Sequence, residues 1–173
     1  MRARGSFLLT VGMVEKAVNM VSPAIMAAMD NDTLKGHDLH IVVMDPGLRP
    51  HDVADAHGAI LYERSFGVPA NWTCPYNDFA RAKAFASWRT GLPTSTIRQT
   101  MPYLLKEIDT LYYGSAVLDG IVVGTSGVQE WFDEWVSYLV AATCRALCIE
   151  AMQGILENDT HSSFFWERAE SGH

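Results

Sequence analysis

The run Ala80-Arg81-Ala82-Lys83-Ala84-Phe85-Ala86-Ser87-Trp88-Arg89-Thr90-Gly91-Leu92-Pro93-Thr94 constrains this chain more than any other stretch. Asn77 or Asp78 offers a cap ahead of it, so Phe79 to Trp88 reads as a helix dense in alanine that carries lysine and arginine towards a Pro-Thr turn. A second helix is expected from Ser95 to about Tyr112, divided at Pro102 because proline cannot donate to the helical ladder.

The rest of the chain supplies partners for that helix. Val11, Val14, Val18, Val21 and Ile25 recur at helical spacing, giving an amphipathic first helix that Pro23 should kink or divide and that ends by Gly36. His40 to Met44 reads as a buried strand stopped by Asp45-Pro46-Gly47, and Ala59 to Arg64 as a second strand paired with it. Ser115 to Leu118 and Gly120 to Thr125 read as a hairpin across the turn dipeptide Asp119-Gly120.

Trp131, Trp135, Tyr138, Leu139, Ala142, Ala146, Ile149 and Met152 then mark one stripe of a long helix, with Glu130, Asp133, Glu134 and Ser137 on its other face. The expected fold is α/β, an antiparallel sheet of about four to five strands flanked by helices and closed by the long C-terminal helix. Residues 1–156 form one domain and 157–173 a polar tail. The apolar triplet Phe164-Phe165-Trp166 is placed to dock on its own domain or on a neighbouring subunit.

Three segments taken together, Ile41-Val42-Val43-Met44-Asp45, the Lys83-Ala84 helix and Gly120-Ile121-Val122-Val123-Gly124-Thr125-Ser126-Gly127-Val128, resemble the GlcG/HbpS-like family, the so-called haem-degrading domains. The resemblance covers most of residues 10–155. It implies a profilin-like α/β sandwich, haem as cofactor and a homo-oligomer, commonly an octamer. It also implies that Gly124 and Gly127 let the strand approach a ligand or a packed helix closely. Two departures stand out: the loop Leu48 to His57 reads as an insertion, and Gly127-Val128-Gln129-Glu130 is a shortened form of the family's segment before the last helix.

Several residues could carry chemistry. Lys83 with Arg64, Arg81 and Arg89 would form a cationic pocket for a carboxylate, since guanidinium groups grip carboxylates at two points; the alternative is a solvated helix face. Arg81 and Arg89 lie close to one helical face, whereas Lys83 is turned about 200° from Arg81, so the helix alone cannot aim them all into one space. The loop His51-Asp52-Val53-Ala54-Asp55-Ala56-His57 gathers two imidazoles and two carboxylates, a composition suited to proton transfer by His51, Asp55 and His57 or to metal ligation, with no period to fix their geometry. His37 and His40 would point to opposite faces of a strand entry.

Cys74 is a candidate nucleophile if a neighbour lowers its pKa. Histidines, Met44, Cys74 and Tyr62 all have axial-ligand chemistry for haem, and nothing selects among them.

With 49% hydrophobic residues and 19% charged ones, 173 residues suffice for one core. A net charge of -7 disfavours nucleic acid and anionic membranes as partners, and no run approaches the ~18–20 apolar residues of a membrane span. The odd count of three cysteines suits a reducing cytoplasm. Three functions are consistent with this: a small-molecule-binding protein for haem or a planar or carboxylated ligand; an enzyme of isomerase, lyase or hydrolase type in the catabolism of an organic acid or aromatic compound; or a non-catalytic structural or interaction module. The first two require the alanine-lined helix and the glycine-bearing strand to face each other around a hollow.

Overall fold

The structure, a computed structural model, describes residues 5–158 and 163–165. Four antiparallel strands, β1 (Leu39–Met44), β2 (Ile60–Phe66), β3 (Ser115–Leu118) and β4 (Ile121–Ser126), form one sheet in the order β2-β1-β4-β3. The hairpin between β3 and β4 turns at Asp119 and Gly120, both at positive φ, which matches the twist of the paired strands.

Alternation along the strands divides the interior into two layers. Leu39, Ile41 and Val43 of β1, with Val123 of β4 and Ala116 of β3, pack under α1 (Val11–Asp30) and α4 (Glu130–Asn158). Val42 and Met44, with Val122, pack on the opposite face under Ala80 and Ala84 of α2 (Tyr76–Thr90). The α/β class, the antiparallel sheet and the long last helix are as expected.

Local differences have local causes. Helix α1 runs through Pro23 undivided. The carbonyl that the proline leaves without a donor belongs to exposed Asn19, which water can reach. Helix α2 starts at Tyr76, after Pro75 and with no side-chain cap, and ends at Gly91 in the left-handed conformation (φ 74°). The second helix of this region, α3 (Thr94–Thr100), is far shorter than its expected extent to Tyr112. Beyond Pro102 the chain makes a single 3-10 turn and then runs irregularly. Arg89 fixes that course by donating to both carboxylate oxygens of Asp109 (3.2 and 2.7 Å) and to the carbonyl of Leu104.

The largest correction concerns α4. Its buried face is Asp133, Val136, Ser137, Val140, Ala141, Cys144 and Leu147. Trp131, Tyr138 and Ile149, expected inside, are exposed. Small and β-branched residues meet the sheet, and two polar groups accompany them because the sheet end and α2 supply their hydrogen-bond partners. By length and composition alone this helix would pass for a membrane span, but its inner face packs on the sheet as part of the core. Phe165 packs against Phe7 (ring centroids 5.2 Å apart), so this part of the tail touches its own domain, while Trp166 lies outside the described residues.

Candidate functional site

Helix α2 lies so close to β4 that there is no hollow between them. A Cβ on Gly124 would stand 2.4 Å from the carbonyl oxygen of Ala80 and 2.8 Å from the methyl of Ala84. Alanine on the helix and glycine on the strand are therefore the two sides of one tight seam. The expected ligand space between the two elements is filled, so the hollow that the binding and enzyme readings required in that place is not there.

An opening lies instead at the end of the seam, where β4 gives way to the turn before α4. This cleft, with about 190 Å³ of free volume, has walls from Tyr76, Phe79 and Tyr112 and a floor from Lys83, Ser126 and Asp133, with Cys74 and Glu130 also in the lining. Phe79 and Tyr112 meet edge to face with ring centroids 5.7 Å apart. Lys83 reaches its floor because it points to the strand end, away from the side of α2 that carries Arg81.

The Lys83 ammonium is 1% exposed and fully engaged. Its Nζ lies 2.9 Å from the carbonyl oxygen of Thr125, 3.2 Å from the Ser126 hydroxyl and 2.9 Å from Asp133 Oδ2. Asp133, itself 2% exposed, accepts at Oδ1 from the Val128 amide at 3.1 Å. Burial pulls the lysine pKa down, against the raising effect of Asp133. Burial also pushes Asp133 up to about 6, against the opposing pull of Lys83.

Around the pair, Ser137 donates to the Gly114 carbonyl (2.8 Å) and lies 2.9 Å from the Thr125 hydroxyl. Thr94 Oγ1 accepts from the amides of Gly114 and Ser115, tying the Pro-Thr turn to the start of β3. Gly114 is needed here: its φ is +144°, and a Cβ would stand 2.5 Å from that of Asp133.

The other cationic candidates are not in this cleft. Arg81 makes a two-point pair with Glu63 of β2 (2.6 and 3.1 Å), and Glu63 also contacts buried His40 at 3.3 Å. Burial, the largest influence, lowers the His40 pKa. Arg64 is on the opposite face of the sheet, donating to Asn19 of α1 at 2.5 Å and stacking over Phe66. Arg89 is spent on Asp109. The four basic residues therefore form no common pocket.

Of the loop residues, His51 is in solvent, and Asp55 accepts the amides of His57 and Gly58. His57 packs edge-on to Phe85 beside a separate groove of about 220 Å³. The three share no site. Gly127 is in the cleft lining, and its own role is steric, since a Cβ there would stand 2.1 Å from the carbonyl oxygen of Asp38.

No family model, curated protein or solved structure matches this chain. The site is thus defined by its own geometry. Among the described residues no group of three or more His, Cys, Asp or Glu side chains could hold a metal ion.

Ser126 and Asp133 escaped sequence reasoning. Asp133 looked like part of a polar face of α4, and Ser126 like one more residue of a glycine-bearing strand. The available signal was the spacing of Asp133, Val136, Ser137, Val140, Ala141 and Cys144, a second stripe on the same helix.

Proposed function

We propose that the chain is a small-molecule-binding domain whose cleft at the end of β4 takes a small, uncharged, planar guest. The observation that carries this is the pairing of charge around an aromatic lining. Lys83 is matched by Asp133 and Glu130 by Arg98 at 2.8 Å, while Tyr76, Phe79 and Tyr112 offer ring surface. A carboxylate would find no spare donor on Lys83 and would sit beside two acidic side chains, so a carboxylated guest is disfavoured.

Haem is disfavoured as the guest of this cleft. Its volume of about 190 Å³ lies below the ~300–1,000 Å³ of pockets for drug-sized ligands. No histidine or methionine lines it, the residues of iron-ligand chemistry there being Cys74, Tyr76 and Tyr112, and the arginines that would hold propionates are paired elsewhere. Membership of the GlcG/HbpS-like family and a profilin-like fold remain proposals of ours, supported by the element order and by the Lys83-Ala84 pair. A cytoplasmic location is likewise proposed, supported by three free cysteines.

We also propose that the domain pairs with a second copy through the outer face of α4. Trp131, Tyr138, Ala142, Ile149 and Leu156 are spaced by seven or four residues and so lie along one side of the helix, with Arg145 among them paired to Asp119. Trp131, Tyr138, Ile149 and Leu156 are exposed. Aromatic residues at one end, alanines in the middle and aliphatic residues at the other make the face complementary to itself when two copies run antiparallel.

Amide-detected NMR during titration with benzamide, a small neutral planar amide, tests the binding proposal. Saturable shifts centred on Gly127 and Val128 are expected, whereas no shift at saturating benzamide would reject it.

A further inference from the structure

We infer that the Ser126 hydroxyl and the Lys83 amine form a nucleophile and base couple at the floor of the cleft, with Asp133 as positioning residue, that cleaves a small neutral ester. The inference rests on the cleft admitting a guest, as proposed above, and adds a reaction to it.

Geometry comes first. Lys83 Nζ has three polar neighbours: the Thr125 carbonyl at 2.9 Å, Asp133 Oδ2 at 2.9 Å and Ser126 Oγ at 3.2 Å. The carbonyl and an ionised carboxylate can only accept. Of the three, the hydroxyl is the one neighbour able to return a proton. A neutral amine has two hydrogens and one lone pair. With the hydrogens given to Thr125 and Asp133, the lone pair faces Ser126 Oγ. The same three neighbours thus serve the charged and the neutral lysine without any side chain moving.

No described residue accepts the hydrogen of Ser126, a residue only 5% exposed and yet part of the cleft lining. A nucleophile within hydrogen-bond reach of a base that a third group orients is the general pattern of activated hydroxyl catalysis. Burial favours it, because it draws the amine towards its neutral form. The charged and titratable groups that face the amine are Asp133 and Glu130 of α4, with Cys74, Tyr76 and Tyr112 around the same cleft.

The chemistry balances as follows. Ser126 Oγ forms a bond to the ester carbonyl carbon and its proton passes to Lys83 Nζ. The bond to the leaving oxygen breaks, and that oxygen takes the proton from Nζ and departs as an alcohol. Water then adds to the acyl carbon and gives a proton to Nζ. The bond to Ser126 Oγ breaks, and the serine recovers the proton. Ester and water are consumed, and acid and alcohol are formed. A donor for the oxygen that develops charge would have to come from the same lining, to which Tyr76 and Tyr112 belong.

Reaction with a fluorophosphonate probe, mapped by peptide mass spectrometry, and hydrolysis of 4-nitrophenyl acetate test this. Wild-type protein should be labelled at Ser126, and Ser126→Ala should lose labelling and hydrolysis with an unchanged near-ultraviolet circular dichroism spectrum. Lys83→Met should lower the labelling rate by about 10²–10⁴-fold. Should Lys83→Met fail to fold, Ser126→Cys, which keeps a nucleophile beside the amine, should react with the acetate where Ser126→Ala does not. The wild-type rate should rise with pH to a plateau whose midpoint lies below that of ordinary lysine, and Asp133→Asn should move that midpoint. Absence of labelling, or labelling that persists in Ser126→Ala, would overturn the couple. If benzamide still shifts Gly127 and Val128 while the probe fails, the cleft stands and the couple falls; if both fail, both fall.

Discussion

Gly124 of β4 and Ala84 of α2 touch so closely that the smallest side chain on the glycine would stand 2.8 Å from the alanine methyl and 2.7 Å from its amide nitrogen. Gly124→Ala must therefore push the helix off the sheet. Overpacking of this kind costs about 1–3 kcal/mol, and the backbone atoms in the way place this case at the upper end. Urea denaturation measures it, and an unchanged midpoint would mean that the seam is looser than described.

Lys83 and Asp133 are both buried and stand 2.9 Å apart. Removing one partner strands the other's charge, so Lys83→Met or Asp133→Leu alone should cost about 3–5 kcal/mol. The double variant should recover most of that loss, because two apolar side chains need no partners. Comparing the three variants by chemical denaturation checks both statements.

The same pair sets a pH dependence. Asp133 titrates at about 6 in the folded chain against 3.8 as its ordinary value, so the folded state holds this proton more tightly than the unfolded one. The resulting stabilisation is fully present below pH 3.8 and is lost as pH rises through about 6. It amounts to at most about 3 kcal/mol for a shift of this size. Relative to the Lys83→Met/Asp133→Leu variant, which titrates at neither position, wild-type stability should therefore fall between pH 4 and pH 6.5. A difference that stays flat would show that burial does not perturb this carboxyl.

On the outer face of α4, Trp131 and Ile149 are 59% and 47% exposed. If two copies cover each other there, Trp131→Glu/Ile149→Glu should yield a smaller particle by light scattering after size exclusion, with the helix content kept. A wild type that is monomeric at high micromolar concentration would rule the pairing out.

The architecture was legible because it rests on local signals. The β-branched run of β1, the Asp119-Gly120 turn and the alanine run of α2 each fix their element with little help from the rest of the chain. The inward face of α4 was not legible, because Asp133 and Ser137 give it a polar look while the stripe of Trp131, Tyr138 and Ile149 on the other side is the more apolar to the eye. What chooses is Lys83, fifty residues away in sequence, whose buried charge requires Asp133 inside. The cleft depends on the same long-range pairing. Arg64, Arg81 and Arg89 looked like ligand donors, yet Asn19, Glu63 and Asp109 claim them, and no short-range pattern announces those partners.

A crystal of the protein soaked in benzamide tests the central claim most directly. Density for the planar amide between Tyr76, Phe79 and Tyr112, above Ser126 and the intact Lys83–Asp133 pair, is the expected result. Side chains closing that space, with the amide absent from it at saturating concentration, would contradict the claim.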